Sequence, residues 1–308
     1  MRIGTSLDNF TGTDALDRLR AQILRAAGDG FSSAWLSNIF GLDALTALAV
    51  AGRGAGLELG TAVVPSYPRH PAALAQQALT VAAALEGHLT LGIGLSHKIV
   101  IDDMYGYSFS RPARHMSEYL SVLLPLLSGE QADFQGETLR ARIGLSAPRP
   151  GRVPVLLAAM APRMLALAGE RTDGTVLWMT GPDTVRDYVA PALSVAAQAA
   201  GRPSPRIVCL LPVCVTSDVP AARARISEQL TVYGQLPSYR AMLDREGAAG
   251  PGEVAIAGDE DTVAEQVSAL AEAGVTDFVA VNAGGEDRHR TRALLVTLAN
   301  LARLASSP

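Results

Sequence analysis

Leu57-Glu58-Leu59-Gly60-Thr61-Ala62-Val63-Val64, stopped by Pro65, decides how this chain folds when read together with the next thirty residues: a helical stretch opened by Pro71, then Leu89-Thr90-Leu91-Gly92-Ile93-Gly94. The two short runs are rich in β-branched and leucine residues and too short for helices. Between them Leu74, Ala78, Leu79, Ala82 and Leu85 recur on one helical face, and proline in a first turn is favourable because its missing N–H has no partner there anyway. Two strands separated by a helix must run parallel, and such crossovers are right-handed.

The same beat extends in both directions. Strands are predicted at 2–7, 33–36, 57–64, 89–94, 153–158, 174–179, 206–215 and 276–281. Helices are predicted near 14–27, 43–51, 71–85, 114–127, 162–170, 183–200, 219–232, 260–273 and 288–304, with Asp14 as an N-cap and Gly28 as a stop for the first. The alternation lapses twice, at 95–151, where 129–151 reads as loop or hairpin, and at the loop-rich patch 234–257. Eight such units close into a single (β/α)8 barrel over residues 1–308, with one insertion after strand four and one before strand eight. An open doubly wound sheet is the alternative.

Composition narrows the function. Of 308 residues, 48% are hydrophobic and only 5% aromatic, so Ala, Leu, Val and Ile supply the core. A net charge of −4, scattered rather than blocked, gives no footprint for nucleic acid or an anionic membrane. Lys98 is the only lysine. Cys209 and Cys214 suggest neither a disulfide nor a redox pair, and buried structural roles are expected for both. With no signal-like start and no charge-free run of membrane length, a cytoplasmic location is the expectation.

In a parallel barrel, the loops after the strands build the site. They are Ser37-Asn38, Val63 to His70, Gly94 to Lys98, Ala158 to Arg163, Met179 to Gly181 and Asn282 to Gly285. The histidines form no H-x-H or H-E-x-x-H, so no metal site is expected. No nucleophile elbow or Walker loop appears. Gly92-Ile93-Gly94 begins like a dinucleotide fingerprint, but His97 stands where its third glycine belongs. A borrowed reagent then explains catalysis better than a side-chain nucleophile. Ala158-Ala159-Met160-Ala161-Pro162-Arg163, small residues running into a proline-started helix, suits a phosphate, with Arg163 near the helix start; a merely compact turn is the alternative.

The same residues carry a resemblance. Leu59 to Pro65, Arg69-His70-Pro71, Leu85-Glu86-Gly87, Leu89 to Gly94, Arg111 to Met116, Phe134 to Glu137, Pro162 to Leu165 with Asp173-Gly174, and Leu236 to Leu243 together resemble the luciferase-like monooxygenase superfamily. More narrowly, they are similar to its actinobacterial oxidoreductases that use the deazaflavin coenzyme F420. The resemblance implies a ring system lying across the strand ends and a non-proline cis peptide behind it, at Ala62-Val63. It implies Asn38 beside the ring, where relatives often carry histidine, and His97 where several carry glutamate. Met160-Ala161 stands for a Gly-Gly pair, leaving Arg163 and backbone amides to hold phosphate.

These loops define the expected site. Asn38 and His97 are the catalytic candidates. Asn38, Ala62, Val63, Gly94, Ser96, Ala158, Ala159, Met160, Ala161, Pro162, Arg163, Met179 and Thr180 would hold the cofactor, F420 or alternatively FMN. Tyr67, His97, Tyr107 and Trp178 would face a small, uncharged, partly aromatic or unsaturated substrate. Against these stand plainer roles: a turn for Asn38, packing under the insertion for His97, core for Trp178 and Met179. Tyr105, Tyr107 and Phe109 are expected as a lid, His70 as a helix-start contact, and Arg111, Arg114 and His115 as anchors of the insertion. The expected activity is hydride transfer between F420 and a small organic substrate, with an FMN monooxygenase and a non-catalytic cofactor-binding barrel as alternatives. A homodimer is what the resemblance suggests.

Overall fold

The computed structural model describes residues 1–305, and eight parallel strands close a barrel within them. These are β1 (Arg2–Leu7), β2 (Ser33–Leu36), β3 (Glu58–Thr61), β4 (Leu89–Gly94), β5 (Val155–Ala158), β6 (Gly174–Trp178), β7 (Arg206–Val215) and β8 (Asp277–Asn282). Ladders run from β1 to β2 and onward to β6, then β6 pairs β7 from Gly174↔Arg206 to Trp178↔Leu210. Closure through β7–β8 and β8–β1 rules out the open sheet.

Two apolar layers hold it. Trp35, Leu156, Val176, Val208, Leu210 and Val279 fill the barrel, topped by Ala62, Val63, Trp178 and Val281. The larger core lies between strands and helices. Gly60 is required by this packing, since a Cβ there would stand 2.2 Å from the Trp35 ring. Both cysteines are free and buried.

The third strand departs from a continuous 57–64. It breaks at a cis peptide between Ala62 and Val63, and Val64–Pro65 then resumes pairing with β4 at Ile93 and Gly94. Thr61 bridges the gap: its hydroxyl donates to Gly92 O at 2.8 Å and accepts from Gly92 N–H at 2.9 Å. Backbone groups that the bulge leaves unpaired are thereby satisfied.

Between β4 and β5 lie a π-helical turn (Ile99–Met104), the helix Pro112–Ser128 and the antiparallel hairpin Ala132–Gln135 with Arg140–Ile143. The patch read as loop-rich, 234–257, is instead mostly ordered. It holds the end of the helix Thr231–Gln235, the helix Pro237–Glu246, and most of the strand Ile256–Gly258, which pairs β7 at Val213–Val215, beyond the point where β6 ends. Its glycines and prolines suggested a loop, yet Pro237 opens that helix and Gly247, at φ 73°, closes it. The first helix also differs slightly: Asp14 sits at its N-cap without a side-chain capping bond. No helix among the described residues is long and apolar enough to cross a membrane.

Candidate active site

The floor at the strand ends is small and uncharged. Gly94 lies so near the cis-peptide bulge that an added Cβ would stand 2.7 Å from Val63 Cγ2 and 3.2 Å from Ala158 Cβ. Ala62, Val63, Gly94 and Ala158, four of the residues read as cofactor contacts, are thus brought together. Two turns leave the floor through left-handed backbone, at Ser96 (φ 62°) after β4 and at Met179 (φ 57°) after β6. Such values are uncommon outside glycine and redirect the chain sharply. Met179 and Thr180 are buried, and Thr180 Oγ1 donates to Trp178 O at 3.3 Å.

Over the floor stand aromatic residues from three separated stretches. The His97 ring lies 5.4 Å from that of Tyr239, Tyr239 meets Tyr233 edge-on at 5.4 Å, and Tyr233 meets Trp178 edge-on at 6.0 Å. Trp178 and His97 were expected at the site; Tyr233 and Tyr239 were not. Burial lowers the His97 pKa and raises those of Tyr233 and Tyr239, so all three are neutral near pH 7.

Glu246 positions the tyrosine-bearing segment, and sequence reading missed it also. Its carboxylate accepts from the backbone N–H of Asp183 at 3.1 Å and of Thr184 at 2.8 Å, at the start of the helix after β6. Gly181 makes room for it, since a Cβ there would lie 2.2 Å from Glu246 Oε1.

Tyr67 belongs to a second cluster beneath the loop after β4. Its ring stacks on His115 at 3.9 Å and 9°, and on Phe109 at 5.5 Å. Ser66 Oγ and His115 Nε2 are 3.0 Å apart. Burial pushes the Tyr67 hydroxyl up to about 12, with Asp102 adding to the effect, and pushes His115 down to about 4. Of the three residues expected as a lid, Phe109 alone turns in to stack on another ring, while Tyr105 and Tyr107 are exposed.

Asn38 has a structural task. The Ala44 N–H donates to its Oδ1 at 2.9 Å, so the side chain helps cap the helix Ala44–Ala51, and its amide donors have no partner among the described residues. His70 caps the next helix, its Nδ1 accepting from Ala72 N–H at 3.2 Å.

At the end of β5, Ala159 is buried and Met160 O accepts from Tyr188 O–H at 3.0 Å. The helix Pro162–Arg171 starts at Ala161 with no side-chain cap. Arg163 is exposed and has no hydrogen-bond or ion-pair partner among the described residues. Backbone donors and a free guanidinium therefore meet at one rim of the mouth.

The chain shares its fold with solved enzymes. It is 24% identical to the 5,10-methylenetetrahydromethanopterin reductase of Methanolobus tindarius, over 93% of this chain and 96% of that one. In fold it is similar to an F420-dependent secondary alcohol dehydrogenase solved with an F420-acetone adduct (TM-score 0.78, 19% identity, 96% and 97% of the two chains). It is also similar to the oxygenating constituent of 3,6-diketocamphane monooxygenase from Pseudomonas putida, solved with FMN (TM-score 0.74, 17% identity, 96% of each chain). The family model for luciferase-like monooxygenases matches residues 1–277. The chain belongs to the luciferase-like monooxygenase family and is an enzyme of that class.

Proposed function

We propose that the protein transfers a hydride between coenzyme F420 and a small organic substrate at the C-terminal mouth of the barrel. The observation that carries this reading is a small, uncharged floor at Ala62, Val63, Gly94 and Ala158, facing a neutral aromatic wall. The residues present fit the group: the floor suits one face of a flat ring, and the uncapped helix start beside unpartnered Arg163 suits a phosphate. When bound, F420 supplies or accepts the hydride.

The chain's own residues do the rest. The backbone at Ala62-Val63 and Gly94 supports one ring face, leaving the opposite face for substrate. The Arg163 guanidinium and the backbone N–H groups of Ala161 and Arg163 hold the phosphate, Pro162 between them having none, with no lysine at that turn. His97, kept neutral by burial, offers a ring N–H that polarises a substrate oxygen but is a poor proton source, so the accompanying proton comes from solvent. Asn38 turns its unpartnered amide donors to the ring while its oxygen caps a helix. The aromatic wall excludes water and fixes orientation.

The fold likeness to an FMN-bound monooxygenase supports a second reading, FMN in the same mouth with oxygen activation. The two separate in one assay. Reduced F420 and the protein are mixed anaerobically with a panel of aldehydes, ketones and enones while the absorbance of the oxidised coenzyme is followed. At least one panel member should be reduced at a rate far above the protein-free control. Turnover confined to reduced FMN with oxygen moves the enzyme to the monooxygenases.

A further inference from the structure

The ring-to-ring array at the mouth has a property its packing does not explain. No polar atom of its four side chains (the His97 ring nitrogens, the Tyr233 and Tyr239 hydroxyls, Trp178 Nε1) has a hydrogen-bond partner among the described residues. Trp178 Nε1 is fully buried as well. Buried donors are nearly always paired, because leaving one unmade forfeits its hydration with nothing in return. The other tryptophan obeys this rule: Trp35 Nε1 donates to Ser33 Oγ at 2.9 Å. An orphaned indole N–H at the end of a barrel strand, where ligands bind, is therefore a donor awaiting an acceptor.

The array also says what kind of acceptor. Its members are neutral, and all four side chains can donate. A carboxylate or ammonium guest would lose its hydration against them and meet no counter-charge. A flat, uncharged guest packs well against aromatic edges and faces. Glu246 ties the segment that carries Tyr233 and Tyr239 to the loop that follows Trp178, so a guest reaches the buried indole N–H by parting these rings and not by moving that segment.

We propose that this array recognises an uncharged, planar carbonyl compound, with Trp178 Nε1 donating to the carbonyl oxygen. The inference rests on the hydride-transfer reading and deepens it by naming the class of substrate. Trp178 is a specificity-determining residue, and Tyr233, Tyr239 and His97 complete the wall around it.

The test uses the full chain loaded with F420 and measures equilibrium dialysis of three probes of similar size: acetophenone, benzoate and ethylbenzene. Acetophenone should bind at least ~10-fold more tightly than benzoate. It should also outbind the more apolar ethylbenzene by ~10-fold, the worth of one well-made hydrogen bond. Trp178→Phe should weaken acetophenone ~10-fold while ethylbenzene affinity stays unchanged, since only the carbonyl loses a partner. Benzoate or ethylbenzene binding as well as acetophenone overturns the proposal. So does a Trp178→Phe variant that keeps acetophenone affinity, or one that loses ethylbenzene to the same extent. The wild-type comparison decides the matter if the variant does not fold. If wild type fails to bind F420, the hydride-transfer reading falls, while the same three probes dialysed against the unloaded chain still decide what the array recognises.

Discussion

The two ends of the barrel handle polar groups in opposite ways. At the N-terminal end, four charged side chains satisfy one another. Arg206 pairs with Asp277 at 2.7 Å and Glu58 at 2.9 Å, Arg2 pairs with Glu58 at 2.5 Å and Asp277 at 3.3 Å, and Thr90 Oγ1 donates to Glu58 at 2.8 Å. At the C-terminal end, the indole N–H of Trp178 and the hydroxyls of Tyr67, Tyr233 and Tyr239 have no hydrogen-bond partner among the described residues. Folding is served by the first arrangement and only burdened by the second. Unmet polar groups gather at the C-terminal end, the end where barrels of this kind carry their sites.

The largest expected effect breaks the closed end. Asp277 is 2% exposed and faces two guanidinium groups, so Asp277→Ala leaves both with Glu58 as their one remaining carboxylate partner and empties a buried position. We expect about 3 kcal/mol or more of lost stability, read as a lower urea midpoint, with F420 affinity of the folded fraction unchanged. Equal loss of both would mean that the two ends are not separable.

Acid should act on the closed end too. Burial alone would raise the Glu58 carboxyl, but Arg206 and Arg2, with hydrogen bonds from Arg2 and Thr90, outweigh it and hold the pKa below its ordinary value. Its contribution is fully present above the unfolded carboxylate value of about 4.3 and is lost as pH falls through the lower folded value. His115 adds an earlier slope. Buried neutral, with its pKa depressed to about 4, it binds no proton in the folded state while the unfolded chain takes one up below about 6.5. Stability therefore falls as pH drops from about 6.5 to 4, and His115→Gln should flatten that segment in urea titrations at stepped pH.

The open end gives smaller effects of a different kind. Arg163→Ala should lower F420 affinity by about tenfold and reduce its salt dependence, with no change in urea midpoint, since the guanidinium holds nothing in the protein. Asn38→Ala should cost about 1 kcal/mol of stability through the lost cap on Ala44, the smallest effect of the set. If it also abolishes F420 binding, Asn38 belongs to the site more than to the helix.

Much of this was legible in the sequence, and unequally so. The strands were readable because each is a short apolar run bounded by turn residues, and the alternation with helices leaves few topologies. The break at Ala62-Val63 was not readable from apolar pattern, which runs unbroken to Val64; family resemblance alone pointed to it. The helix Pro237–Glu246 was hidden among Gly234, Gly247, Gly250 and Gly252, although its proline start and glycine stop are ordinary signals. The aromatic wall could not be read at all. His97, Trp178, Tyr233 and Tyr239 come together only through closure of the barrel and through the Glu246 bonds to Asp183 and Thr184, and no local period encodes contacts at such separations. Asn38 shows the converse: the sequence placed it correctly at a strand end, but only the structure shows its oxygen committed to a cap.

Whether the open end is built around F420 is decided by a fluorescence titration of the purified protein with F420 beside FMN at matched concentrations. Saturable micromolar binding of F420 and none of FMN is expected. Tight binding of FMN with no response to F420 would contradict it.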